Sequence, residues 1–167
     1  VMILAVAVSS GFRREVRNGL SSLSGDILIS APDLNVMGES RPVDLSDPSL
    51  EYVASSRLVE EIMPVVWRAG IVKNGEGVHG VLVKGVSDAV NDSVPLGVSI
   101  PRKLAQTSGL KPGDRMLTYF IGDDLKMRQF NVVTVHDAVV ETDERFIVYA
   151  SLADMQRLNG WDSNQVS

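Results

Sequence analysis

Apolar and polar positions change period several times along this chain, and each change marks an element. Val1 to Val8 is an uncharged apolar run that passes into Ser9-Ser10-Gly11-Phe12-Arg13-Arg14-Glu15. Eight helical residues cover roughly 12 Å, well short of the ~30 Å that a spanning helix must cross. Without a basic segment or a cleavage site in the sequence around it, the run does not read as a signal peptide. It predicts the outer end of a transmembrane helix, with an ordinary buried helix or strand as the bland alternative. On the first reading Val1, Met2, Ile3, Leu4 and Phe12 are membrane-proximal. Phe12, Val16, Leu20 and Leu23 then recur at helical spacing, with Arg13, Arg14, Glu15 and Arg17 on the other faces, so an amphipathic helix follows.

Gly25-Asp26 interrupts that period, and Ile27-Leu28-Ile29 predicts a short strand before Pro32. Asp33 to Pro48 has little periodicity and reads as loop. Asp47-Pro48 supplies a cap and a first-turn proline for a helix over about Pro48 to Ser56. Val59 to Val72 and Val78 to Val86 flank the turn Asn74-Gly75-Glu76-Gly77 and predict a hairpin, with Pro64 marking a bulge or an edge. Ile100 to Ser108 predicts a brief helix with Pro101 at its first position and Gly109 closing it. Lys111-Pro112-Gly113-Asp114 turns into a second strand pair, Arg115 to Ile121 and Met127 to His136. Phe146 to Ala150 predicts a strand, and Ser151 opens a helix carrying Leu152, Met155 and Leu158 up to Gly160.

Composition narrows the function classes. A 167-residue chain that is 44% hydrophobic and 22% charged is an ordinary globular chain, long enough for one good core or two small ones. A net charge of −5 and no Lys/Arg block beyond Arg13-Arg14 leave no electrostatic footprint for nucleic acid. The absence of Cys removes disulfides, thiol nucleophiles and thiolate metal sites.

Each tempting chemistry has a plainer reading. His79 and His136 are the only histidines, both on predicted strands, and neither has a second metal-type ligand at a useful spacing. His136-Asp137 with Glu141, Asp143 and Glu144 could serve acid/base work, but the cluster sits in a polar connection where carboxylates are normally solvated. Ser9-Ser10 and Ser55-Ser56 lack the Gly-x-Ser-x-Gly turn of a serine hydrolase. Asn91-Asp92-Ser93 matches the Asn-x-Ser pattern of a glycosylation acceptor. Trp67, Tyr119, Phe120 and Phe130 read as core or sheet-face aromatics. Gly109-Leu110-Lys111-Pro112-Gly113 is no phosphate loop, because its Lys comes too early and Pro112 lacks a backbone N–H. The expectation is a non-enzymatic domain with no cofactor and no metal.

Four stretches in one order carry a resemblance: SSGFRREVRNGLSSLSGDILIS, MPVVWRAGIVKNGEGVHGVLVKGV, IPRKLAQTSGLKPGDRMLTYFI and RQFNVVTVHDAVVETDERFIVYASLADMQRLNG. Together they resemble the extracytoplasmic domain of the MacB-like and FtsX-like ABC-transporter permeases, and within these the lipoprotein-releasing permeases LolC and LolE. The resemblance implies an α+β fold in three parts. Residues 1–24 would be the end of the first transmembrane helix and a connecting helix, 25–93 with 138–167 a porter-like α/β subdomain, and 94–137 a smaller β-rich insert. It further implies a domain in the periplasm, attached to the inner membrane, with an ABC ATPase subunit and a second permease protomer as partners. A lipoprotein substrate and a periplasmic carrier would complete the system. FtsX-type control of a cell-wall hydrolase and MacB-type efflux are the alternatives.

Some lipoprotein-releasing permeases carry a long hairpin extension that grips the soluble carrier, at the position between the Arg115 and Met127 strands. Here that connection is only Gly122 to Lys126, less than the ~800 Å² per partner of a standalone contact would require. The resemblance makes Phe120, Gly122, Asp123, Asp124 and Leu125 candidate partner contacts facing the periplasm or the partner protomer. Asp123-Asp124 as a simple solvated turn is the alternative.

Overall fold

The computed structural model describes residues 11, 25–32, 41–74, 77–88, 94–122, 124–138 and 146–167. Val1, Met2, Ile3, Leu4 and Phe12, the amphipathic stripe, the Asp33 to Pro48 loop up to residue 40, Asp123 and the Glu141 to Glu144 cluster lie outside them. Among the described residues no helix is long and apolar enough to cross a membrane.

The fold is α+β. Its elements run β1 (Val43–Asp44), α1 (Pro48–Ala54), β2 (Val65–Asn74), β3 (Gly77–Val86), β4 (Gly97–Pro101), α2 (Arg102–Ser108), β5 (Arg115–Phe120), β6 (Lys126–His136), β7 (Phe146–Ser151), α3 (Leu152–Asn159) and β8 (Gln165–Val166). Strands β2-β3-β7-β4-β6-β5 close into a barrel, and β1 pairs with β8 beside it. β3–β7 and β4–β6 are parallel, and the other neighbours are antiparallel.

This order contains an internal two-fold. Hairpin β2–β3, strand β4 and helix α2 are followed by hairpin β5–β6, strand β7 and helix α3. The second strand of each hairpin pairs in parallel with the third strand of the other half, while the two third strands, and the two first strands, pair antiparallel. Both helices end at a glycine in the left-handed region, Gly109 at φ 69° and Gly160 at φ 72°, followed by an apolar residue, Leu110 or Trp161, that packs on the core. Strands β4, β5 and β6 come from 94–137, the stretch that the resemblance sets apart as an insert. They are bonded directly to β2 and β7 from the flanking stretches, in one barrel.

Period-two alternation places the core inside the barrel. On β5 the buried residues are Met116, Thr118 and Phe120; on β2 they are Val66, Arg68, Gly70 and Val72; on β7, Phe146, Val148 and Ala150. Helix α3 lies against β3, β2 and β7, and Gly85 makes room for it, since a Cβ there would meet Met155 Cβ and Cγ at 2.8 Å. Helix α2 contributes Leu104 and Ala105 to the same core.

Three local expectations are corrected. Ile27-Leu28-Ile29 is not a strand: it pairs with nothing among the described residues and Ile27 is 82% exposed, because three apolar residues without a ladder partner do not offset their ordering cost. Pro64 marks no bulge; β2 starts at Val65, directly after the residue that cannot donate to the ladder. Ile100 and Pro101 belong to β4, so α2 starts at Arg102 with Pro101 as its N-cap.

Candidate functional site

The β5–β6 hairpin is the arm of the barrel with the fewest neighbours. Its strands pair over Arg115–Phe120 and Lys126–Asn131. On one side β2 meets β5 in register only at Ile71↔Tyr119 and Val72↔Thr118, and on the other β4 meets β6 only from Asn131 onward. β5 is therefore bonded to β2 close to the tip, whereas among the described residues β6 has no outer strand neighbour before Asn131.

Alternation decides which of its residues face outward. Phe120 is fully buried, edge-on to Phe130 with ring centroids 6.1 Å apart, and the Arg68 guanidinium carbon lies 5.6 Å from its ring centre. Arg68 Nη1 also donates to Asn159 Oδ1 at the end of α3. Phe120 thus roots the arm and offers a partner nothing. The tip beyond it is apolar and uncovered, with Ile121 60%, Leu125 68% and Met127 54% exposed. Gly122 is half-buried, Asp124 is exposed, and Asp123 lies outside the described residues. Gly122, Asp124 and Leu125 lie in the turn of the hairpin, and Ile121 and Met127, which the sequence assigns to the strands, are exposed beside them.

A second cluster runs across the outer wall. Lys84 Nζ lies 5.1 Å from the Trp67 ring centre and 5.8 Å from that of Tyr149, its neighbours in register on β2 and β7. Tyr149 meets His136 edge-on at 5.0 Å, and Ser99 Oγ is 2.8 Å from His136 Nδ1. Burial lowers the pKa of Lys84, lowers that of His136 against an opposing pull from Asp137, and raises that of Tyr149. The row is a cross-strand stack with a hydroxyl tie.

Its Ser–His pair lacks the parts of a nucleophile. Asp137 Oδ1 accepts from Arg102 Nε at 2.6 Å, which lowers the Asp137 pKa and turns its carboxylate to Arg102, and Ser99 is buried. His79 lies edge-on to Phe146 at 5.9 Å inside the barrel. Among the described residues no group of three or more His, Asp or Glu side chains is placed to hold a metal ion.

The exposed tip and the stacked wall are thus two separate surface features of the described residues. No family model matches the chain. Over 97% of its length it is 26% identical to a lipoprotein-releasing system transmembrane protein LolC of Xylella fastidiosa strain Temecula1, and equally to that of strain 9a5c. The chain resembles LolC. It spans 43% of the length of these curated relatives. Among solved structures, the extracellular domain of the noncanonic ABC-type transporter YknZ from Gram-positive bacteria is 12% identical at TM-score 0.49, covering 75% of this chain and 70% of its own. The periplasmic region of MacB from Actinobacillus actinomycetemcomitans is 10% identical at TM-score 0.48, covering 76% and 63%.

Proposed function

We propose that this chain is the periplasmic domain of an ABC-transporter permease of the bacterial inner membrane and that the permease releases lipoproteins. The observation that carries the reading is the likeness to LolC over 97% of this chain's own length. In this reading a separate ATPase subunit hydrolyses ATP, and a second permease protomer completes the membrane part. The barrel transmits the motion as one body, because β4, β5 and β6 are bonded between β2 and β7 instead of forming a lobe of their own. Ile121, Gly122, Asp124 and Leu125, with Asp123, form the contact tip toward the lipoprotein, its periplasmic carrier or the second protomer.

The test is release in reconstituted membranes. The full-length permease, purified with its bound subunits, should transfer a lipidated protein to a soluble carrier only with ATP, and Ile121→Asp with Leu125→Asp should slow that transfer while ATP hydrolysis continues. ATP hydrolysis with no transfer, alongside a co-purifying peptidoglycan hydrolase that needs this domain for activity, would replace the proposal with the cell-wall scaffold reading.

A further inference from the structure

Among the described residues the β5–β6 arm leaves a strand edge open, and backbone polarity tells which groups it presents. Asn131 N–H donates to Leu96 O, away from β5, whereas Val132 N–H donates to Asp114 O on the β5 side. By alternation the N–H and C=O groups of Gln129 and Met127 also point away from β5. Among the described residues no strand pairs there, since the β4–β6 pairing begins at Gly97↔Asn131, and Met127, Arg128 and Gln129 are all exposed. Met127 O accepts instead from Arg128 Nη1 at 3.0 Å, a side chain folded back over its own edge.

We propose that this edge, Met127 to Gln129, accepts an extended acidic segment of a partner protein as an added β-strand. Main-chain bonds to Gln129 and Met127 would provide the affinity, as in other strand-addition complexes, and Arg128 the selection. Arg128 shares a face with buried Phe130 but lies beyond the end of β4, so its guanidinium is exposed and can leave its own backbone for a carboxylate. The same charge argues against a second copy: antiparallel self-pairing centred on residue 128 would set Arg128 against its own counterpart, a destabilising cross-strand pair. This site goes beyond the transport reading and is independent of it, because the binding is a property of this chain alone.

The probes are two capped peptides of alternating Val and Glu, or Val and Lys, titrated into the 167-residue chain while amide hydrogen exchange is followed. The Val-Glu peptide should slow exchange at Met127 and Gln129 and bind about tenfold more tightly than the Val-Lys peptide at low salt. Gln129→Pro, which deletes an outward N–H and spares the β5 ladder, should abolish binding, and Arg128→Glu should reverse the preference for charge. The proposal is overturned by equal binding of both peptides, by unchanged binding to Gln129→Pro, or by amides at 127 and 129 already protected in the free chain. Concentration-dependent dimerisation that Gln129→Pro removes would also overturn it, in favour of a second copy. If Gln129→Pro does not fold, the Arg128→Glu arm decides alone.

Discussion

The two hairpins are topological counterparts, yet they are held very differently. β2–β3 pairs along ten consecutive positions, is flanked by β7 from Val81 to Val86, and is tied at its tip where Asn74 Nδ2 donates to the Ser108 carbonyl at the end of α2. β5–β6 pairs at six positions, touches β2 in register at two, and ends in the exposed Ile121 and Leu125. One copy of the motif is tied to α2 through Asn74, and the other meets β2 in register at only two positions and exposes Ile121 and Leu125. The difference sets a tied hairpin against a loosely edged one within one repeated plan.

The largest test of that contrast is at the root of the arm. Phe120→Ala should cost about 3–5 kcal/mol in denaturant unfolding, since it empties a fully buried aromatic site against Phe130 and Arg68. A loss below about 1 kcal/mol would mean the whole hairpin, root included, lies outside the cooperative core. On the pinned side, Gly85→Ala should cost about 1–3 kcal/mol, because the new methyl meets Met155 at 2.8 Å and α3 must shift. Asn74→Ala should cost about 1 kcal/mol by freeing the tip from α2. Hydrogen exchange in that variant should rise near residues 74 and 77 and stay unchanged at the other tip.

A smaller effect depends on pH. His136 has a folded-state pKa held below its ordinary 6.5 mainly by burial, so the unfolded chain binds the proton more readily. Its contribution is therefore complete above that value and declines as pH falls through it toward the folded pKa. Melting temperature should drop between pH 7 and pH 5, and His136→Gln should flatten part of that slope; an unaltered slope would remove His136 from the balance. Smallest of all, Ile121→Ser with Leu125→Ser should change unfolding free energy by no more than about 0.5 kcal/mol. A larger loss would make the tip part of the core and erase the contrast between the hairpins.

Local chemistry made much of this legible. Asn74 and Gly77 between apolar runs located one hairpin and Gly122 to Lys126 the other, while Asp47-Pro48, Gly109 and Gly160 bounded the helices to within a few residues. Barrel closure was not legible, because β3 finds β7 and β4 finds β6 through pairings that no short window contains. The Trp67–Lys84–Tyr149 stack stayed hidden for the same reason, since three positions far apart in sequence become neighbours only once register is known. At the tip the aspartates drew attention by their charge. The informative fact was instead the parity of β5, which turns Met116, Thr118 and Phe120 inward and leaves Ile121 to start the exposed turn.

The crossed parallel pairs also constrain how the molecule is made. A hairpin can close within microseconds of its residues becoming available, but Val81 cannot find its outer neighbour until Phe146 exists. During synthesis β2 and β3 must wait as an apolar two-stranded ribbon while β4 to β6 are added, and the last stave locks both halves together. A chain interrupted before residue 146 is then not a smaller barrel but an open sheet with unsatisfied edges, a natural substrate for chaperones and proteases.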